Sequence, residues 1–259
     1  MSKTEVVVYA NQDILAAAAA ARLVTRLVDV QAAKGSASLV LTGGGTGIAV
    51  LSELQASSAR DAIDWSRLDI YWGDERFVPA DSDERNEKQA REALLDHVPL
   101  DPKRVHAIAP SDGEFGDDVD AAAAAYAEVL ASQAGPEDHG DVPSFDIMLL
   151  GLGGEGHTAS VFPESPAVYE TERSVVAVRN CPKPPPTRVS LTLPAIRRAQ
   201  DVWLLTAGEA KADAVALALA GAGEVQLPVA GARGHRRTLW LLDRAAAGKL
   251  TKVYQPPTA

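Results

Sequence analysis

The amino-acid sequence predicts a single α/β domain in which helices cover both faces of a doubly wound, largely parallel β-sheet. Apolar runs of four to six residues recur along the chain and alternate with longer amphipathic or alanine-rich segments, a pattern typical of strands that alternate with helices. The chain has 259 residues, 46% of them hydrophobic, which is enough to bury a sizeable core. Clusters of Pro, Gly and Ser are short and indicate loops, not interdomain linkers. We therefore treat residues 1–259 as one domain.

Nine apolar runs are predicted to be strands, because β-branched and large apolar residues bounded by turn residues favour that conformation. In chain order they are Glu5–Tyr9, Ser38–Thr42, Leu68–Trp72, Arg104–Ala107, Phe145–Leu150, Ser174–Val178, Val189–Leu193, Val202–Thr206 and Thr238–Leu242. Most of the segments between them predict helices, and alanine runs at 16–21 and 121–125 favour this. The clearest helices are Asn11–Ala33, Thr46–Ala56, Glu84–His97, Asp117–Gln133 and Glu209–Ala220.

Charge and cysteine content exclude several classes of partner. The formal net charge of −10 argues against nucleic acids and anionic membranes, because both require a basic surface. Cys181 is the single cysteine, so neither an intrachain disulfide nor a cysteine metal cluster can form. The histidines show no ligand spacing, and we expect no metal. No apolar stretch approaches the ~18 residues of a membrane span, and the amino terminus lacks a signal pattern; we expect a cytoplasmic protein.

The most informative stretch runs from Phe145 to Pro163, where an apolar run ends in a glycine-rich turn that carries Glu155 and His157. Such a run is typical of a strand buried on both faces, and active sites of parallel α/β sheets lie beyond the carboxyl ends of such strands. A histidine titrates near neutrality and can take up and return a proton. The stretch predicts a catalytic loop, against the simpler alternative of a structural glycine turn with a surface histidine.

The same stretch matches the dinucleotide-binding pattern G-x-G-x-x-G at Gly151, Gly153 and Gly156. That pattern requires a full crossover helix after the third glycine and an acidic residue at the end of the next strand. Pro163 and Pro166 stop any helix within about two turns, because proline lacks the donor and clashes with the preceding turn. The nearby acidic residues precede the next predicted strand. The sequence therefore argues against a nicotinamide cofactor.

A second glycine-rich segment lies between a predicted strand and a predicted helix and contains Thr42, Gly43, Gly44 and Gly45. Its backbone N–H groups and the dipole of the following helix suit an anion. No lysine follows as in a Walker loop, and Ile48 stands where a dinucleotide pattern has glycine. The segment predicts a site for the phosphate of a small metabolite, and a plain tight turn is the alternative.

Charged residues follow other strand ends. Asp74 and Arg76 come directly after the third predicted strand, where Arg76 could face an oxyanion and Asp74 could orient it or contact sugar hydroxyls. A solvated, salt-bridged loop is the alternative. Arg188 follows a proline-rich loop and Lys211 opens a helix; these cations could complete a phosphate site. If the sheet order brings these strand ends together, they form one site.

Taken in order, these motifs resemble the 6-phosphogluconolactonase family, within the larger family that includes glucosamine-6-phosphate deaminase. The resemblance covers nearly the whole chain, and its carriers are Leu41–Thr46, Trp72–Pro79, Asn86, Gly151–Pro163, Arg188–Pro194, Lys211 and Thr238–Ala246. It implies hydrolysis of 6-phospho-D-glucono-1,5-lactone to 6-phosphogluconate in the oxidative pentose phosphate pathway. A δ-lactone is already a reactive ester, so we expect no metal, no cofactor and no covalent nucleophile. We also expect a monomer.

The resemblance also assigns roles to residues. His157 would be the general base, oriented by Glu155, and Arg76 would lie at the reacting end of the substrate. The phosphate would be held by Thr42, Gly43, Gly44, Gly45, Arg188 and Lys211. Two positions depart from the family pattern: the family usually has Asp where this chain has Glu155, and a serine commonly stands where Arg85 precedes the asparagine.

Two alternatives share the fold that the resemblance implies. Deaminases follow the histidine with a sequence like I-A-F-N-E-P, whose glutamate helps to open the sugar ring. Phe162 stands in the place of that glutamate, and because an aromatic ring cannot relay a proton, the sequence favours lactone hydrolysis. Sugar-phosphate-sensing domains of transcription regulators need an attached DNA-binding helix-turn-helix, whereas this chain begins directly with the first predicted strand.

Overall fold

A computed structural model describes residues 3–138 and 140–250 of the chain. The strands are β1 (Lys3–Tyr9), β2 (Ala37–Leu41), β3 (Leu68–Trp72), β4 (Asp74–Arg76), β5 (Ile147–Gly151), β6 (Val175–Val178), β7 (Arg188–Leu191), β8 (Asp201–Thr206) and β9 (Arg237–Asp243). The α-helices are α1 (Gln12–Lys34), α2 (Gly44–Ala56), α3 (Asn86–Ala93), α4 (Val119–Gln133), α5 (Leu193–Ile196) and α6 (Ala212–Leu219). Short 3₁₀ turns lie at Ser58–Ala62, Trp65–Arg67, Leu95–His97, Pro102–Arg104, Pro166–Tyr169, Glu209–Lys211 and Pro228–Gly231.

Six strands form a parallel sheet in the order β1-β9-β8-β5-β2-β3, which confirms the predicted α/β class. From β2 the chain continues to β3 on one side and then returns to β5 on the other side. The direction of winding therefore reverses between β2 and β5. These two strands pair over only two positions, and their carboxyl ends separate beyond Val40 and Met148. Ligands of open α/β sheets bind in the crevice at such a switch point.

Helices α1 and α2 pack on this sheet through their apolar faces. The first helix, α1, begins after Asn11, whose side chain accepts the N–H of Ile14 at 2.9 Å. It ends at Gly35, which has φ 82°, a left-handed conformation that glycine adopts without steric cost. Its buried positions recur every three or four residues. Burial of each large apolar side chain stabilises the fold by about 1.5–3 kcal/mol. The buried positions are Leu15, Ala16, Ala19, Ala20, Leu23, Val24, Leu27 and Val30.

A second, antiparallel sheet of three strands in the order β4-β7-β6 lies against the carboxyl edge of the first. Gly73 joins the two sheets, since its N–H donates to the carbonyl of Leu41 at 3.0 Å and its carbonyl accepts the N–H of Leu191 at 2.9 Å. In this sheet Arg76 pairs in register with Arg188. The predicted strands over 174–178 and 189–193 thus exist, but they lie in this second sheet and pair antiparallel.

The predicted strand Arg104–Ala107 is wrong. A 3₁₀ turn ends at Arg104, and a single parallel bridge joins Val105 to Ile70 on β3. The side chain of Asp69 accepts from Arg104 at 2.6 Å and lies 3.2 Å from His106, so side-chain contacts hold this segment at the sheet edge in place of a ladder.

Two predicted helices are shorter than expected. Helix α3 ends at Ala93 and is followed by a 3₁₀ turn, because Leu94 leaves the helical region with φ −150° and ψ −51°. The helix predicted from Glu209 starts as a 3₁₀ turn and becomes α-helical at Ala212. Among the described residues, no helix has the length and apolar content needed to cross a membrane.

Candidate active site

A cavity of about 180 Å³ opens between the ends of β2 and β5. Polar and charged groups from both sheets converge on it; its lining consists of Thr42, Gly43, Gly44, Asp74, Arg76, Asn86, Gly151, Leu152, Gly153, His157, Ala159, Arg188 and Lys211. All predicted site residues are in this lining except Gly45 and Glu155. A larger groove of about 700 Å³ between α4 and β6 is lined half by alanine and valine and also by six charged residues. The smaller cavity is the candidate active site, because it lies at the switch point of the sheet and the predicted site residues line it.

The predicted phosphate loop is the amino terminus of α2. Gly43 is the residue before the helix and Gly44 is its first residue, with φ 81°. The first N–H groups of a helix have no partner within the helix, and their dipoles favour an anion. A Cβ atom on Gly43 would lie 1.9 Å from Oδ1 of Asn86, so a larger residue there would displace the buried Asn86 side chain. Gly45 lies one residue further into the helix, and a Cβ atom added there would meet only Nε2 of Gln12, at 4.0 Å.

Asn86 is the side chain that joins this loop to β4. Its Nδ2 donates to the carbonyl of Asp74 at 2.9 Å, and its buried Oδ1 has no protein partner among the described residues. Asn86 carries part of the family resemblance, but its sequence motif does not predict a place in the site. Its place in the cavity depends on how α3 is held against β4.

Glu75 holds α3 in place. Its buried carboxylate accepts the N–H groups of Asn86 and Glu87 at 2.7 and 2.8 Å and thereby caps the helix. Burial raises the pKa of Glu75 to about 7, although Arg85 and these N–H groups act in the opposite direction. Arg85 is fully buried, lies 3.7 Å from Glu75 and donates to Glu87 and to the carbonyl of Ile108. The arginine that departs from the family pattern is therefore part of the support under β4.

Asp74 and Arg188 face each other across Ser160. The hydroxyl of Ser160 donates to Oδ2 of Asp74 at 2.6 Å and accepts from Nη1 of Arg188 at 3.4 Å. The other guanidinium nitrogens of Arg188 donate to carbonyls of the proline-rich loop, at Lys183 (3.0 Å) and Pro185 (3.1 Å). Arg188 is only 4% exposed, so it both lines the cavity and fixes the loop that precedes it.

His157 forms a pair with Glu155. Its Nδ1 lies 2.6 Å from Oε1 of the carboxylate, and an ionised carboxylate accepts hydrogen bonds but donates none, which places the imidazole proton on Nδ1 and leaves Nε2 as an acceptor. The ring stacks on Phe162 with centroids 4.4 Å apart. A Cβ atom on Gly153 would lie 1.9 Å from Nδ1, so the pair occupies the space above a glycine.

Burial and the neighbouring charges set the protonation states of this pair. Desolvation lowers the pKa of His157 below its ordinary value, against the raising effect of Glu155. Burial alone would raise the pKa of Glu155, but hydrogen bonds, above all from Lys183, lower it to about 2. At neutral pH the carboxylate is therefore charged and the imidazole neutral, which are the states that a base and its orienting group require.

Lys183 and Lys211 bring positive charge to the same end of the cavity. Nζ of Lys183 lies 2.9 Å from Oε2 of Glu155, and Lys211 lines the cavity from the start of α6. Burial lowers the pKa of Lys211, and the nearby charge of Lys183 adds to that effect. Lys183 is not among the predicted site residues, because it and Glu155 are 28 positions apart in the chain. Its position in the stiff loop before Arg188 is the only sequence signal for it. Within residues 3–138 and 140–250, no group of three His, Cys, Asp or Glu residues could hold a metal ion.

Comparisons with known proteins identify the family of this chain. Residues 10–240 match the family described as glucosamine-6-phosphate isomerases/6-phosphogluconolactonase. A 6-phosphogluconolactonase from Streptomyces coelicolor is 62% identical over 260 residues, covering 100% of both chains. One from Mycobacterium tuberculosis is 56% identical and covers 94% of this chain and 97% of its own.

Solved structures give the same result. The 6-phosphogluconolactonase of Trypanosoma brucei superposes with a TM-score of 0.84 at 31% identity, over 97% of this chain and 100% of the other. A monomeric glucosamine-6-phosphate deaminase superposes with a TM-score of 0.75 at 20% identity, over 95% of this chain and 99% of the other, which shows a shared fold.

Proposed function

Because the chain belongs to the family of glucosamine-6-phosphate isomerases and 6-phosphogluconolactonases, we propose that it hydrolyses 6-phospho-D-glucono-1,5-lactone to 6-phospho-D-gluconate with His157 as the general base. The observation that carries the proposal is the neutral His157, held by the ionised Glu155, in a cavity that the cations Arg76, Arg188 and Lys211 also line. Its reaction is ester hydrolysis within the oxidative pentose phosphate pathway.

At the reacting end, Nε2 of His157 takes a proton from water as the water oxygen attacks the lactone carbonyl. General bases of this kind contribute ~10²–10⁴-fold to the rate. The carbonyl becomes an oxyanion, which donors placed in advance stabilise. Arg76 supports this role, since its guanidinium has five N–H donors and can bind the carbonyl of Glu84 at 2.6 Å while lining the cavity.

The tetrahedral intermediate then collapses. The bond between the carbonyl carbon and the ring oxygen breaks, and the imidazolium returns its proton to the departing oxygen, so that the sugar chain opens as a hydroxy acid. Asp74 lies within the cavity lining and is tied to Ser160, which suits it to accept hydrogen bonds from sugar hydroxyls. Glu155 stays ionised throughout and stabilises the imidazolium.

We assign the phosphate to the amino terminus of α2 and to Arg188 and Lys211 of the cavity lining. Thr42, Gly43 and Gly44 line the cavity, and Gly45 would contribute through its backbone N–H as the next residue of the helix. Lys211 and Arg188 supply positive charge. We also propose that the protein is a cytoplasmic monomer. One chain supplies all of these groups, so the site needs no second subunit. Sedimentation of the purified protein tests the monomer.

We expect Lys211→Ala to raise the KM for the phosphorylated lactone by about 10- to 100-fold, the value of a charge-assisted hydrogen bond, with a small change in kcat. The phosphate does not react, so its contacts bind the ground and transition states alike. Steady-state kinetics with the phosphorylated and the unphosphorylated δ-gluconolactone measure this. Equal losses on both substrates would contradict the assignment.

For Arg188→Ala we expect the same rise in KM together with lower thermal stability, because Arg188 also binds carbonyls of the proline-rich loop.

The protein is expected to hydrolyse the phosphorylated lactone and to release no ammonia from glucosamine 6-phosphate. Both compounds carry a 6-phosphate, so discrimination must arise at the reacting end. There the buried Phe162 stacks on His157 and offers no group that can relay a proton. Parallel assays of lactone hydrolysis and ammonia release test this, with glucosamine 6-phosphate expected to act at best as a weak competitive inhibitor. Ammonia release at a rate comparable to lactone hydrolysis would favour the deaminase alternative.

A further inference from the structure

The proline-rich loop presents Lys183 to the catalytic pair in a fixed position. Pro182 and Pro184 flank the lysine and restrict the backbone on both sides. The guanidinium of Arg188 restrains this loop, because it donates to the carbonyls of Lys183 at 3.0 Å and Pro185 at 3.1 Å. The lysine side chain is 44% exposed, so its direction is set by its contact with Glu155 and not by burial.

Glu155 uses its two oxygens for two different partners. Oε1 contacts Nδ1 of His157 at 2.6 Å, and Oε2 accepts from Nζ of Lys183 at 2.9 Å. A glutamate held only at His157 could rotate about its side-chain bonds, because a single hydrogen bond does not fix the plane of a carboxylate. The second contact removes that freedom.

We propose that Lys183 is a positioning residue that fixes Glu155 against His157 and keeps the imidazole in its neutral, basic form. This inference rests on the proposed function, in which His157 is the base. Lys183 acts through Glu155 and need not touch the substrate.

The charges around His157 define what the loss of Lys183 would do. Glu155 and Asp74 favour the protonated imidazole, and Lys183 opposes them. Two further cations, Arg76 on β4 and Lys211 at the start of α6, line the same cavity as the ring. Arg188 lies over the ring of Phe162, 5.7 Å from its centroid, and His157 stacks on that same ring.

Removal of Lys183 takes away a positive charge that opposes the effect of Glu155 and Asp74, which raises the pKa of His157. A base works only when it is unprotonated, so activity is lost as the pH falls through that pKa. A higher pKa therefore moves the acid side of the profile of kcat/KM against pH towards higher pH. A role confined to folding would not move it.

The test compares Lys183→Met with Lys183→Arg over a full pH profile, on both the phosphorylated and the unphosphorylated δ-gluconolactone, with the uncatalysed hydrolysis subtracted. Arg179→Met is the matched control, since it removes one exposed cation from the same loop whose partner is Asp120. For Lys183→Met we expect kcat to fall about two- to five-fold at neutral pH, the value of a partly exposed ion pair. The acid side of the pH profile should move to higher pH on both substrates. Lys183→Arg should restore kcat and the pH profile, and Arg179→Met should change neither of them.

An acid side that stays in place in Lys183→Met overturns the inference. So does an effect limited to the KM of the phosphorylated substrate, which would make Lys183 a phosphate ligand. In the Glu155→Gln background Lys183→Met should add little, because the two side chains act through one contact; a full additional shift there also contradicts the inference. Failure of the proposed function looks different, since wild-type protein and His157→Asn would then have the same profile.

Discussion

Replacement of His157 by Asn is expected to lower kcat for the phosphorylated lactone by about 10²–10⁴-fold, the usual contribution of a general base. The residue lies on a loop beyond β5 and acts on the proton of the attacking water, so the KM and the fold should change little. Initial rates with freshly generated lactone, corrected for spontaneous hydrolysis, measure the loss. Thermal unfolding of the same sample measures the stability.

The molecule offers a matched control for this variant. His106 also lies beside a carboxylate, Asp69, and stacks on an aromatic ring, Tyr71, with centroids 4.5 Å apart. It stands outside the lining of the cavity. His106→Asn should therefore reduce stability and leave kcat nearly unchanged. If the His157 variant retained more than half of the wild-type kcat, His157 would not be the base.

Gly153→Ala is expected to lower kcat by about 10²-fold, the effect of misplacing a catalytic group by about 1 Å. The added Cβ would lie 1.9 Å from Nδ1 of His157 and 2.9 Å from Oε2 of Glu155. Atoms cannot approach so closely, so the imidazole and the carboxylate must move. Both are side-chain ends, which can move without unfolding the loop. The change should therefore disturb the chemistry more than the fold.

The comparison for this variant is Gly135→Ala, where the nearest atom to an added Cβ is 3.7 Å away. Kinetics and thermal unfolding of both variants separate the clash from the general effect of replacing a glycine. A Gly153→Ala protein with wild-type kcat and an unchanged pH profile would show that the imidazole does not need the position it occupies above this glycine.

Much of the site was predictable because its residues stand in local motifs. The glycines of the α2 start and of the His157 loop mark turns after buried strands, and that pattern can be read without knowing the partners of the strands. The wrong strand, Arg104–Ala107, shows the limit of such reading. Its apolar and polar pattern suits a strand, yet only Val105 forms a bridge to β3. A side-chain contact between Arg104 and Asp69 holds the segment in place of a ladder.

The sequence by itself determined the α/β class, the two glycine-rich loops, and the identity of the groups that can accept a proton or bind an anion. Tertiary structure alone decided which of these groups meet. The reversal of winding between β2 and β5 brings Thr42 beside Gly151, and pairing of β4 with β7 sets Arg76 opposite Arg188. Lys183 meets Glu155 for the same reason. Strand order depends on contacts between residues far apart in the chain, and local periodicity does not predict such contacts.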